Sequence, residues 1–480
     1  MSVPHLNRRK FLSALSATGS LPMFSGCGLK KEFSLHKEYT GHKWWLEGIH
    51  APVQQEVEST DLVVQGSLPD DLSGLYVRNG GNFHGGSAPH FFVGDGMLHG
   101  VWMESGKAKL YRNRWVQTSV FGNDKKPSLD KADNMSNTSI IYYGGRLLSL
   151  MEIGFPYEIN PDLSTKGVYR FDGTLRSAVT AHPKIHPTTG DLHFFGMSFF
   201  SNPYLNYRVA NEKGDITKRV DIKLPGSSMQ HDFQVTENYA IFLDLPVVFS
   251  KKMAVLGAFP YEWKGGDYSA RIGILPHKGT SKDVRWFEIE TCFCFHTLNA
   301  FEEPDGTIVL QLTRLPRIWV MSPYDINEPS ELYEYRIHPT KGILSEGSLH
   351  DKRVEFGTVS QRYAGRAHQY AYYVIFQSTS SENTAPPTLR GLIKYDQRGN
   401  PMGEYNYPAH EEAAEFVFQP STRTTDEDDG YLMGFVYNKI EKLSTLDVFH
   451  TQDIKSGPIA RVQLNHKVPS GYHGVFVPQS

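Results

Sequence analysis

The sequence predicts an all-β fold in one large domain, and three observations support this prediction. From about residue 40 onward, short runs rich in β-branched and aromatic residues alternate with turn signals. The turns place glycine where a positive φ is expected. No long stretch shows the 3.6-residue periodicity of an amphipathic helix. The strand runs include DLVVQGSL, GLYVRNG, RLLSLMEIG, DLHFFGMSFF, YAIFLDLPVVF, GTIVLQLTRL, YAYYVIFQS, GLIKYD and YLMGFVYN.

The turn sequences supply the physical reason for reading the runs as antiparallel strands. Glycine has no Cβ and adopts positive φ at little cost, so it marks the tight connections of hairpins. One connection occurs twice in nearly the same form, as HPTTGDL and HPTKGIL. The predicted turns are 104–107, 186–192, 211–215, 304–307, 338–344 and 396–400.

The number of strands favours a propeller over a single sandwich. About 25–30 strands are too many for one sandwich, whereas seven blades of four strands need about 28. The internal repeat is too faint to count blades, so a barrel or a larger sandwich stays open at this point. Insertions near 117–137, 250–268 and 318–330 are predicted as loops on one face, which short helices would help to cap. The apolar segment 251–263 could form a substrate mouth, contact a membrane, or pack onto the core.

Composition excludes several classes of function. The net charge is −3 over 480 residues, and no basic stripe is present, so nucleic acid is not an expected partner. No apolar run is long enough to span a bilayer as a helix. The chain has 3 cysteines. Cys292 and Cys294 are too close in sequence to bridge readily, so no structural disulfide is expected.

The N-terminus has the features of an export signal. Arg8 and Arg9 precede a weakly apolar stretch, which is typical of a twin-arginine leader. Residues 24–27, FSGC, resemble a lipidation motif, although Phe24 stands where leucine is usual, so lipidation of Cys27 stays open. We therefore predict a signal over 1–27, a linker over 28–44 and a single domain over 45–480. The predicted location is the bacterial periplasm, either free or anchored to the membrane by lipid.

Four of the 20 histidines lie in distinctive contexts. The contexts are TAHPKIHP, MQHDFQVTENYAIF, CFHTLNAFEE and GYHGVFVP, around His182, His231, His296 and His473. Their spacings of 49, 65 and 177 residues match no local metal motif, which places ligands only a few residues apart. Taken singly, each would more often be a structural core histidine. Residues on different propeller blades can nevertheless converge on the central axis.

These four segments resemble the carotenoid cleavage oxygenases, a family that also includes apocarotenoid and lignostilbene oxygenases. The resemblance covers about residues 45–480 and includes GLYVRNGGNF, HFFVGDGMLHG, EDDGYLM and the late GYHG. It implies a seven-bladed β-propeller with one Fe²⁺ on its axis. The implied iron ligands are His182, His231, His296 and His473.

The resemblance also implies residues that orient the ligands. Glu152, Glu355 and Glu415 match glutamates that hold ligating histidines, and Thr138 matches a threonine beside an open coordination position. A carboxylate partner fixes the tautomer of a ligating imidazole and raises its basicity. The family usually has proline after the Glu-Phe pair, whereas this chain has Gly357. A surface or buried salt bridge is the plainer reading of each glutamate.

The implied reaction adds both atoms of O₂ across a conjugated C=C bond of a carotenoid or apocarotenoid. No side chain is expected to act as acid, base or nucleophile. A lipid-soluble polyene is the expected substrate, and contact with a membrane surface would suit it. Stilbene cleavage is less favoured, because Phe121 stands at the expected tyrosine position and neither Lys125 nor Lys126 aligns. A non-catalytic carotenoid-binding propeller and a hydrolase remain as alternatives, although no hydrolase motif supports the latter.

Overall fold

A computed structural model of the protein describes residues 42–85, 88, 90–122, 130–255, 259–320, 328–377 and 388–479. The predicted signal, most of the predicted linker, and Lys125 and Lys126 lie outside these ranges.

Seven antiparallel sheets form the blades of a β-propeller, which confirms the predicted fold class. Blade 2 shows the simplest plan, because its four strands follow one another directly along the chain. The strands of blade 1 are Glu58–Ser59, Gly74–Arg78, Gly81–Asn82, Asp95–Glu104, Lys107–Trp115 and Gly474–Pro478; of blade 2, Ser139–Tyr143, Arg146–Leu150, Tyr157–Ile159 and Thr165–Val168; of blade 3, Lys184–Ile185, Leu192–Met197, Leu205–Ala210 and Ile216–Ile222; and of blade 4, Phe233–Val235, Tyr239–Asp244, Arg271–Pro276 and Arg285–Glu288.

Blades 5 and 6 repeat this four-strand plan, whereas blade 7 has six strands, one of which comes from early in the chain. Blade 5 contains Thr297–Glu302, Ile308–Arg314, Glu331–His338 and Gly342–His350; blade 6 contains Val354–Thr358, Tyr370–Gln377, Thr388–Asp396 and Pro401–Asn406; and blade 7 contains Glu411–Ala413, Val417–Pro420, Gly430–Asn438, Leu443–His450, Ala460–Gln463 and Val63–Gly66.

Strands from the two ends of the domain close the ring twice. Val63–Gly66 pairs with Ala460–Gln463 and so completes blade 7 with an early segment of the chain. Gly474–Pro478 pairs with Gly74–Arg78 and completes blade 1 with a late segment. Blades 1 and 7 therefore each combine strands from the beginning and from the end of the domain.

Burial explains why many strands are apolar throughout. Leu192–Met197 and Leu205–Ala210 are buried at every position, because neighbouring blades cover both faces of a middle strand. The outer strand Ile216–Ile222 alternates instead between exposed and less exposed residues. An apolar cluster between blades 4 and 5 includes Ile272 and Leu310, and a similar cluster between blades 7 and 1 includes Val101.

The predicted turns form as hairpin connections with glycine in the left-handed region. The φ angles of Gly106, Gly214, Gly306 and Gly399 are 73°, 95°, 85° and 82°. The two similar connections also both join paired strands, and in each the histidine Nδ1 accepts a hydrogen bond of 3.2 Å from the backbone N–H of the threonine two residues later.

Helices are few and short in the described part of the chain. One five-residue α-helix, Lys251–Val255, lies within the predicted insertion at 250–268, between the paired strands Val247–Phe249 and Tyr261–Trp263. The 3₁₀ segments are Trp44–Leu46, Gly48–His50, Gly265–Asp267, Gln361–Tyr363 and Ile454–Ser456. None of the described helices has the length and apolar character to cross a membrane. Cys292 and Cys294 are buried and free.

Candidate metal centre

The four singled-out histidines all lie just before the first strand of a blade or before the closing strand of blade 1. These strands contact one another around the ring, with blade 3 against blade 4, blade 4 against blade 5, and the closing strand against blade 2. His182 lies two residues before Lys184–Ile185, His231 two before Phe233–Val235, His296 directly before Thr297–Glu302, and His473 directly before Gly474–Pro478. Equivalent positions in blades 1, 3, 4 and 5 therefore bring residues that are distant in sequence close together.

The imidazoles of the four residues meet at one point. One ring nitrogen from each lies within 4.8 Å of those of the other three. The Nε2 of His231 is 3.2 Å from Nε2 of His182 and 3.3 Å from Nε2 of His296. Metal–nitrogen bonds of about 2.1 Å separate neighbouring ligands of an octahedral ion by roughly 3 Å. The spacing therefore fits one divalent ion with four nitrogen ligands.

Three of the imidazoles contact the predicted glutamates through Nδ1. The Nδ1 of His296 is 2.7 Å from Oε2 of Glu355, and the Nδ1 of His473 is 2.8 Å from Oε1 of Glu415. A carboxylate that accepts the Nδ1 proton leaves the Nε2 lone pair free. The structure thus orients these Nε2 atoms as a metal ligand set requires.

The third pair is close but less well aligned. The Nδ1 of His231 is 2.8 Å from Oε1 of Glu152, yet its N–H angle falls short of a good hydrogen bond. Both side chains are mostly buried, at 10% and 15% exposed. Among the described residues, no glutamate contacts the ring of His182, whose backbone N–H donates to Oγ1 of Thr180 over 3.1 Å.

Burial and charge set the protonation of the site. Burial, followed by the neighbouring histidines, holds the pKa of His182 well below its usual value, so this ring stays neutral. Burial alone would raise the pKa of Glu152 and Glu355, but the paired histidines outweigh it and lower both. The site therefore combines a neutral His182 with ionised carboxylates at Glu152 and Glu355.

A second layer of contacts fixes the carboxylates, and the sequence did not predict it. Thr313 donates its hydroxyl to Oε1 of Glu355 over 2.8 Å, and the N–H of Phe356 donates to Oε2 over 2.9 Å. The N–H of Gly474 donates to Oε2 of Glu415 over 2.8 Å. Two of these donors come from residues next to predicted site residues: Phe356 follows Glu355, and Gly474 follows His473. That proximity in sequence was the signal by which these donors could have been predicted.

Asp232 was also missed, although it directly follows a predicted ligand. Its Oδ1 is 2.8 Å from Nζ of Lys184, and its Oδ2 accepts the N–H and the hydroxyl of Thr297. The three residues belong to blades 3, 4 and 5. This buried ion pair therefore ties together the strands that carry three of the four histidines.

Gly357 departs from the family pattern, and local packing gives a reason for its small size. A Cβ at this position would overlap the ring of Tyr373 and the side chain of Leu298. Phe356 has a positive φ of 53°, and its ring centroid lies 5.3 Å from that of His296. The bend places Phe356 over the histidines while Glu355 stays behind them.

A cavity of about 860 Å³ opens onto three of the four histidines, His231, His296 and His473. Its lining includes the aromatic residues Phe92, Phe259, Phe295 and Tyr472. Segment 251–263 contributes to this wall through 259–261, and Phe259 and Tyr261 also pack against the apolar cluster between blades 4 and 5, so the segment both lines the cavity and packs onto the core. An apolar cavity of this size could enclose an elongated ligand and exclude water.

The threonine predicted at the open position lines the same cavity. Thr138 is 9% exposed, and its hydroxyl donates to Oδ1 of Asn137 over 3.0 Å. Its carbonyl accepts a hydrogen bond from the N–H of His473 over 3.3 Å. The structure thus places Thr138 beside the site and engages its hydroxyl away from the histidine rings.

Phe121 was expected to help distinguish between the two substrate classes, but its position in the structure does not support that use. Its ring packs against His84 and Trp115, at centroid distances of 4.8 and 5.5 Å. It is absent from the described residues that line the cavity. The argument against a phenolic substrate from this position therefore loses its force.

Comparisons with known proteins agree with the geometry. The retinal pigment epithelial membrane protein family matches residues 50–478. A carotenoid cleavage oxygenase of Mycobacterium tuberculosis is 33% identical over 90% of this chain and 97% of its own length. The carotenoid 9,10(9',10')-cleavage dioxygenase 1 of Pisum sativum is 35% identical over 91% of this chain and 90% of its own length.

Solved structures show the same fold. The lignostilbene dioxygenase of Pseudomonas brassicacearum superposes with a TM-score of 0.81 at 26% identity, covering 91% of this chain and 98% of that one. A variant of the Synechocystis apocarotenoid oxygenase gives 0.78 at 25% identity, with the same shares covered. The chain is therefore an oxygenase that belongs to the retinal pigment epithelial membrane protein family, together with the carotenoid cleavage oxygenases.

Proposed function

We propose that this chain is a non-haem iron(II) dioxygenase that cleaves a conjugated C=C bond of a carotenoid or apocarotenoid with O₂. The observation that carries the proposal is the convergence of four imidazoles at one point, with three of them lining a large, mostly apolar cavity. The reaction balances without another reactant, since one O₂ and one C=C bond give two carbonyl groups.

The donor set fits iron(II). Imidazole nitrogens suit first-row divalent metals, and affinity alone does not select iron over zinc or copper. The structure of a cobalt-substituted form of a Synechocystis relative, with a TM-score of 0.78, is consistent with a divalent ion in such a site. His182, His231, His296 and His473 would hold the ion. Iron(II) bound there would supply the redox chemistry by which O₂ reacts with the double bond.

The side chains around the site orient and enclose rather than react. Glu152, Glu355 and Glu415 keep the Nδ1 protons in place and so maintain the ligand tautomers. The aromatic wall excludes water, and the shape of the cavity decides which double bond lies next to the histidines. Thr138 narrows the space beside them.

Removal of one ligand tests the proposal directly. His231→Ala and His473→Ala should each lose both iron retention and cleavage, because either change removes one of four nitrogens from a single site. Metal analysis of the purified variants, combined with chromatography of aerobic reactions, measures the two effects. Full cleavage activity in either variant contradicts the ligand assignment.

Stilbene cleavage is the second candidate, because the fold matches a lignostilbene dioxygenase. A panel of carotenoids, apocarotenals and resveratrol, incubated aerobically with iron-loaded protein, separates the two substrate classes. Products from a polyene alone support the proposal, and products from resveratrol alone favour the second candidate. Binding of carotenoid without bleaching by fully iron-loaded protein would favour a non-catalytic propeller.

We also propose that the protein acts in the bacterial periplasm and contacts a membrane surface. Phe200 is 54% exposed beside Phe249, and Nζ of Lys251 donates to the carbonyl of Phe200 over 2.8 Å. An exposed apolar side chain next to lysines suits an anionic lipid surface. Cell fractionation tests the location, including the anchored form through Cys27. Flotation with anionic vesicles tests the contact, which Phe200→Ser should weaken.

A further inference from the structure

The cavity has a sector of different chemistry from its aromatic wall. Charged residues line it where blade 6 and blade 7 meet the end of the insertion in blade 5. The positively charged residues of this sector are Arg353, Arg390 and Lys439. A wholly hydrocarbon ligand would be disfavoured here, because it removes water from these charged groups and offers them no hydrogen bond or opposite charge in return.

Every glutamate that lines the cavity already has a cationic or histidine partner. In this sector, Glu328 is 2.8 Å from Nε of Arg317, and Glu412 is 2.5 Å from Nζ of Lys439. The other pairs are Glu47 with His42, Glu152 with His231, Glu355 with His296, and Glu415 with His473. The negative charges of the lining are therefore all engaged, and so is Lys439.

The two arginines are the exception. Across the described ranges, the guanidinium groups of Arg353 and Arg390 have no ion pair, and the Nε of Arg390 is buried without a hydrogen-bond partner. A buried donor without a partner costs free energy unless a ligand or water satisfies it. Within this sector, three cations (Arg353, Arg390 and Lys439) face two carboxylates (Glu328 and Glu412), so the sector carries an excess of positive charge with open donors.

The pairing of the blade 6 strands positions both arginines at the cavity wall. The N–H of Phe376 donates to the carbonyl of Arg353 over 3.0 Å, and Phe376 pairs with Leu389 on its other side. Arg390 is the extra residue of a β-bulge, because Ile375 pairs with Gly391 while Phe376 pairs with Leu389. Bulges redirect a side chain relative to the regular strand. The two arginines therefore flank one strand position and share one cavity.

We propose that Arg353 and Arg390 bind a carboxylate at the end of the polyene, so that an apocarotenoid acid is the preferred substrate class. This inference rests on the proposed function for the identity of the polyene. The planar guanidinium group matches the two oxygens of a carboxylate, and the charge-assisted bonds strengthen where water is excluded. The aromatic wall holds the hydrocarbon, and the arginine pair fixes which end of it enters this sector.

Binding is measured separately from cleavage to test this inference. Iron-loaded protein is kept free of oxygen and titrated with a polyene acid and with its methyl ester, by quenching of tryptophan fluorescence. We expect the native protein to bind the acid roughly 10- to 100-fold more tightly, and this preference to shrink at high salt. Arg390→Met and Arg353→Met should each remove most of the preference while leaving ester binding unchanged.

Arg398→Met is the matched control, since Arg398 is exposed in the turn that follows Thr388–Asp396 and lies away from the cavity. It should keep the preference for the acid. Equal binding of acid and ester by native protein, or equal weakening of both in the arginine variants, overturns the inference. Admission of oxygen then tests the proposed function itself: bound acid that is never cleaved contradicts the function and leaves the arginine assignment intact.

Discussion

The replacement Glu355→Gln tests how the protein holds its metal ligands. Glu355 accepts hydrogen bonds from Nδ1 of His296, from the hydroxyl of Thr313 and from the N–H of Phe356, at 2.7, 2.8 and 2.9 Å. Glutamine keeps the size and one oxygen but loses the charge. The bond to His296 changes from charge-assisted to neutral, and the imidazole becomes a weaker ligand.

The expected loss follows from the change in hydrogen bonding. A bond to a charged group contributes about 1.5–3 kcal/mol, and a neutral bond contributes about 1 kcal/mol. The difference of about 0.5–2 kcal/mol corresponds to a roughly 2- to 30-fold loss of iron affinity. Removing a group that orients a ligating histidine typically costs about 10- to 100-fold, so we expect a loss of about 10- to 30-fold. We expect Glu152→Gln to lie at the lower end of this range, because the contact between Glu152 and His231 is already poorly aligned.

An anaerobic competition between the protein and an iron(II) chelator of known affinity measures the effect. Glu412→Gln is the matched control, because Glu412 lines the same cavity but pairs with Lys439 rather than a histidine. Its iron affinity should change by less than about twofold, as for a partly exposed ion pair. Native affinity in Glu355→Gln, or an equal loss in Glu412→Gln, would refute the orienting role.

Two further predictions concern stability. Gly357→Ala should lower the free energy of unfolding by about 1–3 kcal/mol, because its Cβ overlaps the ring of Tyr373, whereas Gly347→Ala, with open space around the Cβ, should not. Denaturant midpoints measure both, and equal midpoints would contradict the overlap. Burial raises the pKa of Asp447 to about 6 despite the opposing charge of Arg461. The folded state thus binds this proton more tightly than the unfolded state, so its stabilising contribution is complete below about pH 4 and is lost as pH rises through 6. Asp447→Asn should remove that part of the pH dependence, and unfolding free energies of both proteins at pH 5 and pH 7.5 test it; identical slopes would refute the shift.

Much of the fold could be predicted from local signals. Gly214, Gly306 and the other turn glycines adopt positive φ because hairpin geometry requires it, and local sequence carries that requirement. The number of blades could not be read from the repeat. The outer strands are half-exposed and variable in pattern, and the ring is closed by Val63–Gly66 and Gly474–Pro478, which pair across the whole chain.

The candidate site was predicted where motifs are specific and missed where partners are distant. The structure brings His182, His231, His296 and His473 together as expected, while their role as iron ligands stays a prediction. Arg353 and Arg390 carry no motif, since their function depends on a bulge and on the pairing of every nearby glutamate. Phe121 was placed by resemblance alone, and its ring packs against His84 rather than along the described cavity lining.

The late strand Gly474–Pro478 carries a consequence for assembly. His473 directly precedes it, so the same backbone hydrogen bonds that complete blade 1 with a late segment of the chain position the fourth nitrogen. An open ring offers only three imidazoles, so tight binding of the proposed iron requires the closed ring. Under the proposed function, iron affinity during refolding would report completion of the propeller, and the bound ion would stabilise the closed ring against reopening.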